Sequence, residues 1–239
     1  MTSVVELQQK FVSPNNELFL SFIPQAGKET ALAGDLPDLS RGFSVQSSKK
    51  AIDADISKAN FSALKDTIRA QNESLLEKIN ASVAKMMEKA NKDVAEEYDV
   101  DLALSIAQMV PMPPHQETER LLAFSMHVNM TANDAQGQPK QSVAVVTATL
   151  AHVKGKVLFL YANGKEADLD WTREAGAEWA NAVLMANPPD LLSEARESRG
   201  SAFNLIDMGG DAITGAAIGL SIGVFAWVRK RLAAKRESS

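Results

Sequence analysis

The sequence predicts an α+β domain, an antiparallel sheet packed by helices, carried on one C-terminal transmembrane helix. Three observations support this. Four strand-like apolar runs follow one another between residues 100 and 162, separated by turn-forming residues. Ahead of them, residues 54–97 repeat apolar side chains at helical spacing. Near the end, residues 212–228 hold no charged side chain and lead straight into a cluster of cations.

Composition sets the outer bounds. With 239 residues, 45% of them hydrophobic, the chain can bury one medium core with appendages. A mean hydropathy of -0.14 is too polar for several spans, so any membrane segment must be local. The formal net charge of -5 gives no basic field to neutralise phosphates, and no nucleic-acid partner is expected. With no cysteine, disulfides, thiolate metal sites and cysteine nucleophiles are excluded together.

Along the chain, residues 17–23 alternate toward a strand that Pro24 stops, after a turn at Ser13, Pro14, Asn15 and Asn16. Residues 25–50, rich in Gly, Ser, Asp and Pro, read as a long loop. From 54 to 97, Phe61, Leu64, Ile68, Leu75, Ile79, Val83, Met86, Ala90 and Val94 mark one face of a long amphipathic helix. Its length leaves room for a break into two helices.

The strand-like runs cover 100–109, 120–131, 142–153 and 156–162, with hairpin loops at 133–139 and 153–156. In the second run Leu122, Phe124, Met126, Val128 and Met130 alternate with Ser125, His127 and Asn129, so one face packs and the other meets water or a ligand. The third and fourth runs are apolar on both faces, as central strands are. A shorter helix over 170–187 follows, with Asp170 as N-cap and Pro188 and Pro189 as its stop. The expected organisation is a two-layer soluble domain over 1–187, a linker over 188–207, the transmembrane helix over 208–228 and a basic tail over 229–239.

The opening residues Phe11 to Pro24, and Lys154-Gly155-Lys156-Val157-Leu158-Phe159-Leu160-Tyr161 leading into the helix of Trp171, resemble the PsbP/Mog1-like α+β domains of bacterial envelope proteins. The resemblance spans roughly residues 5–187. It implies a binding or assembly module without catalysis, and it brings no site residues.

The membrane reading rests on length and flanking charge. A run of roughly 17–21 helical residues crosses about 25–30 Å of hydrocarbon. Arg229, Lys230, Arg231, Lys235 and Arg236 follow it, whereas Asp190, Glu194, Glu197, Asp207 and Asp211 precede it against only Arg196 and Arg199. Cations stay in the cytoplasm, which puts the domain on the non-cytoplasmic side and the C-terminus inside, with the tail near anionic lipid. Export needs a leader, and residues 1–10 have no apolar core, so removal of a leader is expected. A tail-anchored cytosolic adaptor is the alternative topology. Gly215, Gly219 and Gly223 line one helix face and let a second helix approach closely, so a homo-oligomer or a membrane-protein partner is expected there.

Catalytic motifs are missing. His115, His127 and His152 do not stand at metal-ligand spacing, and there is no HExxH, GxSxG, P-loop or dinucleotide fingerprint. Asp168, Asp170 and Glu174 near Trp171 suit helix capping. The segment from Met109 to Pro114 is stiff and apolar and marks a strand exit. No catalytic residue, metal or cofactor is predicted. The expected function is a single-pass, membrane-anchored protein-interaction module, with a membrane-tethered hydrolase using carboxylates around His127 as the rival.

Overall fold

The computed structural model describes residues 9, 12–33, 41–70, 73–98, 104–133, 138–189, 208–210 and 212–214. The strands are β1 (Asn16–Phe22), β2 (Gly42–Ser48), β3 (Leu104–Pro111), β4 (Gln116–Thr118), β5 (Leu121–Asn133), β6 (Pro139–Val153) and β7 (Lys156–Lys165). The helices are α1 (Lys28–Leu32), α2 (Lys58–Arg69), α3 (Glu73–Tyr98) and α4 (Leu169–Ala186). Residues 208–210 and 212–214 are also helical.

The fold is α+β with an antiparallel sheet, as the strand runs predict. The strands order as β1-β2-β7-β6-β5-β3, with β4 beside β5, and every described pair is antiparallel. The β6–β7 hairpin turns at Lys154 and Gly155, with φ of 49° and 78°. Two successive positive φ angles match the twist that two-residue hairpins need.

Strand alternation separates the two faces. On the inner face Leu122, Phe124, Met126 and Val128 of β5 meet Ala144, Val146, Ala148 and Leu150 of β6, and Val157, Phe159 and Tyr161 of β7. This layer packs under Phe61, Leu64 and Ile68 of α2 and Val83, Met87 and Ala90 of α3. The outer face presents Val45, Leu121, Ala123, Ala151 and Leu160 to Trp179, Ala180, Val183 and Leu184 of α4. The sheet is therefore covered on both sides, giving three layers where two are expected. The side chains of β6 and β7 that are buried on both faces require that second cover.

One expectation is decided and another corrected. The break left open in the long helix is present: α2 ends at Arg69 with Ala70 as its C-cap and α3 opens at Glu73. Ser57 caps α2, its hydroxyl accepting from Asn60 N at 3.1 Å. The presumed loop over 25–50 contains α1 and the interior strand β2. Its inward side chains are Ser44, Gln46 and Ser48, all buried, so no apolar alternation announces it. Gln46 accepts from the Asn16 side chain at 3.0 Å, and Ser47 Oγ donates to Val157 O at 2.8 Å. These bonds compensate for burying polar groups.

Two glycines give opposite tests of packing. A Cβ on Gly176, in the middle of α4, would meet nothing closer than 3.5 Å, whereas one on Gly164 would stand 2.6 Å from the Asp168 Cβ. Gly176→Ala is expected to raise stability by roughly 0.5–1 kcal/mol through helix propensity. Gly164→Ala is expected to lower it by about 1–3 kcal/mol through overpacking. Urea denaturation midpoints of the two variants check both signs.

Candidate functional site

The C-terminal run begins inside the domain. Met208, Ala212 and Ile213 are buried among the inner-face core residues. Tyr161 Oη donates to Ala212 O at 2.9 Å, which gives a buried phenol a hydrogen-bond acceptor. At Gly209, an added Cβ would lie 3.4–3.8 Å from Thr67, Ile68 and Leu64, so this helix lies directly against α2. The domain thus extends past residue 187, and the first residues placed in a transmembrane segment are core residues. Gly215, Gly219, Gly223, Arg229, Lys230, Arg231, Lys235 and Arg236 lie outside the described residues. Among the described residues no helix is long and apolar enough to cross a membrane.

A second candidate lies on the outer face, at the first turns of α4. There the Arg173 side chain reaches across β6 to β5. Its Nε donates to Ser125 Oγ at 3.2 Å and one Nη donates to Met112 Sδ at 3.3 Å. Buried hydroxyls continue the contact: Ser125 Oγ to Thr147 Oγ1 at 2.9 Å, and Thr147 Oγ1 to Thr172 Oγ1 at 2.9 Å. Thr172 Oγ1 donates to Leu169 O at 2.8 Å. Each hydroxyl has one proton, so the last bond fixes the sense of all the others. Thr147 donates to Thr172, Ser125 donates to Thr147, and Ser125 turns a lone pair toward Arg173.

Beyond Arg173 the outer face opens. Ser125 is buried, but His127, Asn129 and Thr131 further along β5 are half-buried. The cross-strand neighbours of His127 are Val110 and Val145, so its register partners include no carboxylate. His115 follows the two prolines of the strand exit, and its N–H donates to Ala123 O at 3.0 Å. Partial burial of its ring, with the Arg173 guanidinium nearby, lowers its pKa below the ordinary imidazole value.

The remaining candidates have structural work. His152 is buried, its Nε2 lies 2.6 Å from Ile56 O, and its ring stacks on Phe61 with centroids 5.2 Å apart. Asp168, not Asp170, stands at the start of α4. Its carboxylate accepts from Lys165 N at 2.9 Å and pairs with Arg41. Arg41 also lies over the Trp171 ring, 4.7 Å from its centroid. Hydrogen bonding to Arg41, then to the Lys165 backbone, holds the Asp168 carboxyl below its usual range. Buried Lys65 bonds Glu117 Oε1 at 2.9 Å and Thr118 O at 2.8 Å, tying α2 to β4. Among the described residues, no group of three or more His, Asp or Glu is placed to hold a metal.

Comparison with protein-family models, with curated proteins and with solved structures found no match.

Two outcomes test the site. Thr147→Val removes the central hydroxyl of the chain at nearly constant shape, and is expected to cost about 1–2 kcal/mol in chemical denaturation. Asp168→Asn is expected to be less stable than the wild type at neutral pH. The folded pKa of Asp168 lies below the unfolded one, so its stabilisation is complete above about pH 4. It is lost as pH falls through the folded value. Melting curves from pH 7 to 2 should therefore show the two proteins converging in acid.

Proposed function

We propose that this chain is a membrane-attached, non-catalytic protein-interaction module, an accessory subunit of a bacterial envelope complex whose domain sits directly against the bilayer. The carrying observation is the root of the C-terminal run: residues 212–214 are core, and the uncharged sequence continues from them without a linker to Arg229. As a helix, residues 215–228 would supply roughly 21 Å at about 1.5 Å per residue, less than the ~30 Å hydrocarbon core. Short spans are accommodated by local thinning, by flanking cations that reach the headgroups, and by oligomerisation. Arg229, Lys230 and Arg231 suit the second, and the face of Gly215, Gly219 and Gly223 suits the third. The same cations favour a cytoplasmic C-terminus and a domain on the opposite side.

The surface assigned to the partner is β1. Among the described residues it pairs with β2 alone, and Phe19, Leu20 and Phe22 are 45%, 53% and 47% exposed. An edge strand with apolar side chains suits an extended segment of another protein, which would add to the sheet by backbone hydrogen bonds. The resemblance to PsbP/Mog1-like domains supports a binding role in the same sense.

The full chain should pellet with membranes and stay there through alkaline extraction. Leu220→Arg places a charge in the middle of the run at about 2.5–3.5 kcal/mol and should shift most of the protein to the soluble fraction. Wild-type protein that is released by alkali would overturn the attachment. In mild detergent the wild type should cross-link as an oligomer and Gly219→Leu as a monomer; identical cross-linking of both would remove the glycine face from the reading. Protease protection of the domain in intact cells separates the envelope topology from a tail-anchored cytosolic one.

A further inference from the structure

The Arg173 guanidinium is only half used by the protein. Nε and Nη2 form one edge of the fork, and that edge is spent on Ser125 Oγ and on the weak acceptor Met112 Sδ. The other edge, Nη1 with the second proton of Nη2, has no partner among the described residues, and no carboxylate pairs with the group there. The hydroxyl chain from Ser125 to Leu169 O holds the used edge in place, so the free edge is presented in a fixed orientation.

We propose that this free edge of Arg173, flanked by His115 and His127 on the open half of the outer face, is the recognition point of a site for small monocarboxylates with a short apolar chain. A planar carboxylate accepts two parallel N–H bonds from a guanidinium edge. The charge also selects the class. Arg173 supplies one fixed positive charge, and among the described residues no Lys or other Arg bonds Ser125 or Met112 beside it, which matches a monoanion better than a phosphate dianion. For the ligand's body the surroundings are apolar: Val110 faces His127 across the strands and is 41% exposed, and Met112 flanks the guanidinium. Asn129, next along β5 on this face, adds an amide at the rim.

The test uses the full chain in mild detergent and two probes too polar to partition into micelles, propionate and its uncharged analogue propionamide. Nuclear magnetic resonance would follow the Arg173 Nε–Hε signal and the His115 and His127 ring signals. Propionate should shift all three along one saturable curve in the millimolar range, and propionamide should leave them in place. Arg173→Lys keeps the charge but loses the fork, and should weaken propionate at least about tenfold. Three results would overturn the proposal: no saturation by about 50 mM, equal binding of propionamide, or an undiminished response in Arg173→Lys. Tighter binding of inorganic phosphate would also overturn it, since the charge match would then be wrong. Each readout is made on wild-type protein first, so a variant that fails to fold does not leave the question open, and none depends on membrane attachment.

Discussion

From Ala144 to Val153 and from Val157 to Ala162, β6 and β7 carry side chains that are withdrawn from water on both faces of the sheet. Apolar side chains pointing both ways cannot be sheltered by one layer, and this double requirement organises the molecule. It calls α4 to the outer face, where Gly176 lies over Thr147 and Ala162. On the inner face it calls α2, α3 and the helical residues 208–210 and 212–214. The same requirement explains why Tyr161, buried at the centre, finds its acceptor at Ala212, 51 residues away. That bond joins the last described segment of the chain to the middle of the sheet.

Polar groups inside this sandwich are treated unevenly. The hydroxyls of Ser125, Thr147 and Thr172 are satisfied in sequence, and Lys65 is neutralised by Glu117. By contrast, among the described residues, Ser44 Oγ, Thr149 Oγ1 and both polar atoms of the Asn163 amide are buried and find no hydrogen-bond partner. Ser44 and Asn163 are diagonal neighbours on the inner face of β2 and β7. Each such group costs about 1–3 kcal/mol. Ser44 and Asn163 therefore reduce what the β2–β7 seam gains from its own burial.

Much of this was legible in the sequence, for identifiable reasons. Alternation in β5, the Lys154–Gly155 turn and the double-faced runs of β6 and β7 are local signals, and each appears where they point. The strand β2 was illegible because Ser44, Gln46 and Ser48 face inward, and a polar strand looks like a loop until its partners are known. The second layer of helices follows from β6 and β7 being apolar on both faces, a signal that was present and under-used. At the outer-face site, His127 on a polar alternating face was a usable hint. Arg173 was not visible, because nothing local says that a helix residue will cross a strand to reach Ser125. The uncharged C-terminal run invites a membrane reading by its length and the cations that follow it, and only tertiary contact reveals that residues 212–214 belong to the core.

The aromatic group on the outer face has an optical consequence. Trp171 and Trp179 of α4 both meet Phe43, with centroids 5.7 and 5.1 Å away, and Phe22 meets Trp179 at 5.8 Å. Two of the chain's three indoles thus sit at the junction of one helix with β1 and β2. Near-ultraviolet dichroism and fluorescence emission will be dominated by that junction. A spectroscopist following this protein through heat or denaturant will mainly be watching α4 lift away, while the layer of α2 and α3 melts in silence.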